Sequence, residues 1–167
     1  MKVKSNSNQS IDILCILIAM LLLLLTGCSE QNENEVQSVN KEIGGLRFLV
    51  EYQPSANKVE EEGNGIEYFK IRLEKTNDLD IVRHLSETSG LTQEEVLYYL
   101  SYRLKDDIFL EQGEEKKESV LYHFERSYDL TKGRVVNVGF EPADKDKKIT
   151  LLIDSELLNV GPVKLKF

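Results

Sequence analysis

Tryptophan is missing altogether, and cysteine occurs only at Cys15 and Cys28. Without tryptophan, a module that stacks on carbohydrate is poorly equipped. Because both cysteines lie within the first 28 residues, the rest of the chain has neither a disulfide framework nor a cysteine-based metal site. Histidine is equally sparse. His84 and His123 stand far apart, without the H-x-x-x-H or H-E-x-x-H spacing that places two imidazoles on one metal. There is no basic excess: 21 Lys+Arg face 29 Asp+Glu, a net charge of -8. That balance argues against nucleic acid, where cations must displace counterions, and against adhesion to anionic lipid through a basic patch. No serine sits in G-x-S-x-G or S-x-x-K. There is no P-loop and no G-x-G-x-x-G, and Gly63-Asn64-Gly65 reads as a turn. No internal repeat is visible.

What is present begins at the N-terminus. Lys2 and Lys4 form a positive start, and an unbroken apolar run of 13 residues covers 13–25. A membrane-crossing helix wants about 20 apolar residues, whereas a signal-peptide core needs roughly 7–15. A buried core helix or an ordinary span is the alternative. The run ends in LLTGCSEQNEN, where one cysteine separates the most apolar stretch from a polar, acidic one. Leu25, Thr26, Gly27 and Cys28 resemble the lipobox of bacterial lipoproteins, with Thr26 the less common choice at its position. The resemblance implies diacylglycerol on the Cys28 thiol, cleavage before Cys28 by type II signal peptidase, and loss of Cys15 with the leader. Two or three acyl chains would hold the protein stably, at about 0.8 kcal/mol per buried methylene. Ser29, rather than Asp, after the cysteine implies the outer membrane of a Gram-negative envelope. The early acids loosely resemble the export signals of Bacteroidota lipoproteins.

Cleavage would remove 27 residues, with Lys2, Lys4 and Asp12 among them, and leave 140 residues carrying 19 Lys+Arg and 28 Asp+Glu. Residues 28–44 are expected to be the lipidated cysteine and a flexible tether, because 29–43 is too polar to bury much surface. Residues 45–167 are expected to fold. Leu46, Phe48, Val50 and Tyr52 alternate with polar neighbours up to Pro54, and Phe69, Ile71 and Leu73 do the same, so the two runs should pair as a long-looped hairpin. Leu79, Val82 and Leu85 could line a short helix ended by Gly90. Residues 91–105 should be the best helix. Thr92 and Glu95 have capping-box spacing, with Leu91 and Val96 placed as a hydrophobic staple. Val96, Leu97, Leu100 and Leu104 would form its core stripe, leaving Tyr98 and Tyr102 opposite as a candidate interaction face. Further strands are expected at 108–110, 120–125, 134–140, 149–153 and 163–167, with EQGEEKKES as a loop. Strands following strands around one helical insertion predict a mainly β domain, an antiparallel two-sheet sandwich of about seven strands. An α+β layer is the alternative.

For chemistry the chain offers little. His123 and Glu125 share one side of a strand, with Asp129 beyond it, and a His–carboxylate group can act as acid and base. A solvated strand face is the more economical reading. Asp144-x-Asp146 lacks the glycine and glutamate of a calcium loop. No metal and no cofactor is expected. The function expected is a lipid-anchored envelope lipoprotein with a binding domain. The alternatives are an envelope hydrolase using His123, Glu125 and Asp129, or an assembly subunit of an envelope complex. The expected partners are the membrane, through Cys28, and an envelope protein, not nucleic acid.

Overall fold

Alternating burial organises the fold. The computed structural model describes residues 36–54, 65–77, 79–126, 133–144 and 146–167. Leu25, Thr26, Gly27, Cys28, the turn at 63–64 and Asp129 lie outside the described residues. Among the described residues nine strands and two α-helices follow in the order β1 (Gln37–Ile43), β2 (Leu46–Gln53), β3 (Glu67–Lys75), α1 (Ile81–Ser89), α2 (Gln93–Tyr98), β4 (Ile108–Gln112), β5 (Glu115–Glu118), β6 (Leu121–Glu125), β7 (Arg134–Phe140), β8 (Thr150–Ile153) and β9 (Val163–Lys166). They form two antiparallel sheets, β1-β2-β3-β7-β6 and β5-β4-β8-β9. This is a mainly β, two-sheet sandwich with its helices inserted between β3 and β4.

Strands β2 and β3 pair as expected, with Phe48 opposite Leu73 and Tyr52 opposite Phe69. Phe48, Val50, Phe69, Ile71, Val136, Val138 and Phe140 point inward from the first sheet. Ile108, Leu110, Leu151, Ile153, Val163 and Leu165 do so from the second. The rings of Tyr52 and Phe69 stack at 4.7 Å, and the half-buried Phe167 tilts against both at 5.3 and 5.5 Å. Among the described residues the buried carboxylate is Glu67, which accepts from the Tyr52 hydroxyl (2.7 Å) and the Ala143 N–H (3.0 Å). Burial, and then the Glu67 bond, raise the Tyr52 pKa, so its hydroxyl stays a donor.

Four expectations need correction. Residues 37–43, expected in the tether, form β1, antiparallel to β2. Val39 and Ile43 pack on the core, half-buried Lys41 on the same face donates to the Lys164 carbonyl (3.1 Å), and Asn40 and Glu42 face solvent, which suits an edge strand. Gly44 and Gly45, both at positive φ (60° and 76°), close this hairpin as a type I′ turn requires. Next, EQGEEKKES is not a loop: Glu111 and Gln112 end β4, Gly113 (φ 63°) starts a two-residue turn, and EKKE returns as β5. Strands β4 and β6 therefore lie in different sheets, and Val120 sits outside β6, 57% exposed. Third, Leu79 (57% exposed) and Leu97 (38%) face outward, and Ile81 fills the place meant for Leu79. Fourth, residues 91–105 are not one α-helix: α2 widens into a π turn over Tyr99–Arg103 and then tightens into a 3-10 turn over Leu104–Asp107.

Candidate functional site

The helical insertion contributes lining residues to three clefts. Asp80 caps α1 by accepting from the Arg83 N–H (3.0 Å), and Gly90 ends the helix at φ 76° with its N–H on the Ser86 carbonyl. The capping box at α2 is complete. Thr92 Oγ1 accepts from the Glu95 N–H (3.2 Å), and the Glu95 carboxylate accepts from the Thr92 N–H (2.8 Å) and hydroxyl (2.9 Å).

The widened turn has a sequence cause. Val96, Leu100 and Leu104 are buried at intervals of four. An α-helix turns every 3.6 residues, so such a row drifts around its surface. The Leu104 N–H bonds back five residues to the Tyr99 carbonyl, and this wider turn keeps the row facing inward. Tyr98 and Tyr102, also four apart, are thereby aligned on the outside, 60% and 53% exposed, with ring centroids 5.2 Å apart. The expected outward face of these two tyrosines is present. Where the α register breaks, the Leu100 carbonyl accepts from the Tyr122 hydroxyl on β6. Burial, followed by the charge of Asp107, raises the Tyr122 pKa and keeps this donor protonated.

That contact ties β6 to the helix and leaves a groove with two adjoining lobes. One, of about 390 Å³, is lined by Leu97, Tyr98, Ser101, Tyr102, Phe124, Arg126 and Arg134. The other, of about 350 Å³, shares Ser101, Tyr102, Phe124 and Arg126 and adds Lys105, Tyr122 and His123. Among the described residues no carboxylate lines either lobe, although the chain is acidic. Arg134 pairs with Asp80 (2.9 Å) and Lys105 with Asp106 (2.6 Å), while Arg126 makes no ion pair with a described residue.

A second cleft, of about 730 Å³, lies beside the junction of the two helices. Asp107, Asp154 and Glu156 make it acidic. At its wall the Tyr99 hydroxyl donates to Asp107 and lies 3.3 Å from Ser155 Oγ. Burial, followed by the bond to Asp107, raises the Tyr99 pKa.

Among the described residues the chemical candidates do not assemble, and Asp129 lies outside them. His123 is exposed, and Glu125 is occupied by Asn137, whose amide donates to it at 2.9 Å. No hydrogen bond joins His123 to Glu125 among the described residues. His84 is half-buried on α1, its pKa lowered by burial and then by the charge of Lys75. Asp144 accepts from the Asp146 N–H (3.1 Å) and pairs with Lys147 (3.1 Å), which is how a solvated turn satisfies itself. Among the described residues no group of three His, Cys, Asp or Glu side chains could hold a metal ion, and no helix is long and apolar enough to cross a membrane.

The chain matches no protein-family model, no curated protein and no solved structure. Its site is therefore read from geometry alone. Sequence reasoning singled out three of the groove's residues, Tyr98 and Tyr102 as an interaction face and His123 as a hydrolase candidate, but not Phe124, Tyr122 or Arg126. The signal for the first two was their shared parity on β6. Nothing in the sequence places that strand beside α2.

Proposed function

We propose that this protein is a bacterial lipoprotein, acylated on Cys28, whose β-sandwich works by binding another envelope component through the groove between α2 and β6. The observation that carries the first half is the register of four signals: basic residues, an apolar run of 13, Leu25-Thr26-Gly27-Cys28, and an immediate switch to polar residues. The exposed tyrosine pair supports the second half, since tyrosine supplies a large, rigid, amphipathic contact surface. In a Gram-negative cell, Ser29 after the cysteine supports an outer-membrane location. The hydrolase reading with His123, Glu125 and Asp129 gains nothing from the groove, because Glu125 is engaged by Asn137.

Metabolic labelling with an alkyne fatty acid tests the anchor. The wild-type chain should incorporate label, lose 27 residues and fractionate with membranes. Cys28→Ala should remain unlabelled and uncleaved. A Cys28→Ala chain that is still cleaved before position 28 would refute the lipobox assignment.

A further inference from the structure

Strand β6 ends the five-stranded sheet and, among the described residues, pairs only with β7, so its other edge presents a row of backbone donors and acceptors that no described strand takes up. Such edges are templates for strand addition and are usually blunted by charge, proline or a covering element. Here the groove runs along the edge itself. Three consecutive β6 residues, Tyr122, His123 and Phe124, line one lobe although their side chains alternate between the two faces of the sheet. Arg126, just beyond the strand, belongs to both lobes. It stands with Tyr102 and Phe124 where the lobes meet, and it makes no ion pair with a described residue. The two other full cations on the lining are already neutralised by Asp80 and Asp106.

We propose that the groove binds an extended peptide segment of a partner protein, added as a strand to β6, with one carboxylate on Arg126 between apolar or aromatic side chains held against the Tyr98–Tyr102 pair. The inference rests on the binding role proposed above and names its ligand class. Three features select this occupant. The edge offers main-chain hydrogen bonds that a peptide satisfies in register. The described lining has aromatic rings and, among those residues, no carboxylate to repel an acid. The guanidinium geometry suits bidentate capture of a carboxylate. A uronic-acid glycan could use the rings and Arg126 but not the strand edge.

The full chain in detergent micelles is to be panned against a random octapeptide display library. Selected peptides are then synthesised and titrated by fluorescence anisotropy, with a polyglucuronate oligosaccharide alongside. Enrichment of alternating apolar sequences with one Asp or Glu is expected. Arg126→Glu should weaken binding at least about tenfold, and a peptide with Lys in place of the acid should recover it on that variant. Amide hydrogen exchange should slow at residues 121–125 when the peptide binds. Arg126 is exposed, so an unchanged urea midpoint will show that the variant is folded. Failure to enrich acidic peptides would overturn the proposal. So would binding indifferent to Arg126→Glu, exchange protection elsewhere, or tighter binding of the oligosaccharide. Labelling at Cys28 is read separately, so loss of the anchor reading and loss of the peptide reading give different results.

Discussion

Asp80 performs two tasks with two oxygens, and separating them measures how the helical insertion is fastened to the sheet. Oδ1 caps α1 through the Arg83 N–H, and Oδ2 pairs at 2.9 Å with Arg134 on β7. The Arg134 side chain is 4% exposed and that of Asp80 19%. Removing one partner of a buried pair costs about 3–5 kcal/mol. Partial exposure of Asp80 reduces this, so Asp80→Asn, which keeps a good cap acceptor, should cost about 2–3 kcal/mol. Asp80→Ala loses the cap as well, which adds about 1 kcal/mol. With a urea slope of about 2 kcal/mol per molar, the midpoint should fall by about 1–1.5 M for the Asn variant and by about 0.5 M more for Ala. Tyrosine fluorescence can follow the transition, since the chain has seven tyrosines and no tryptophan. A midpoint for Asp80→Asn within about 0.2 M of wild type would refute the role assigned to the ion pair. Equal midpoints for the two variants would refute the separate role of the cap.

Two further outcomes follow from the same geometry. The Glu95 carboxyl is held below the usual glutamate range because it accepts from the Thr92 N–H and hydroxyl. Its contribution is therefore fully present above the unfolded value of about 4.3 and disappears as pH falls through the lowered folded value. A pH series of urea midpoints should accordingly lose part of its acid-side slope in Glu95→Gln, and an unaltered slope would remove the capping box from the account. Gly133 admits no side chain, since a Cβ there would lie 2.2 Å from the Leu73 carbonyl oxygen on the neighbouring strand. Gly133→Ala should cost about 3 kcal/mol or more by displacing β7 from β3, read as a lowered thermal midpoint, and a neutral result would contradict the close approach.

Strands buried on one face were legible because their apolar residues alternate with a period of two, as in β2, β3 and β9; β7 and β8 keep inward residues at that spacing but are buried on their other face as well. The capping box at Thr92 and Glu95 and the stop at Gly90 were legible for the same reason, since each is a local bond between near neighbours. The elements that escaped notice are edge strands. β1 buries only part of one face, and β5 is EKKE, with no apolar residue at all. Each is a strand because a neighbour hydrogen-bonds to it. The tight turns at Gly44-Gly45 and Gly113-Glu114 were the available signals, and both precede or follow segments too polar to look like strands. Leu79 and Leu97 show the opposite error, because helical spacing marks an apolar residue as inward even where no partner surface meets it.

The sequence by itself determined the class of the domain, the inward parity of its main strands, the start of α2 and the outward direction of Tyr98 and Tyr102, because all of these depend on residues a few positions apart. Only the tertiary structure decided which strands share a sheet, and so that β6 rather than β4 lies beside the widened turn of α2. Topology alone brings Phe124 and Arg126 to Tyr102, since hydrogen bonding between strands is indifferent to the side chains that it places together.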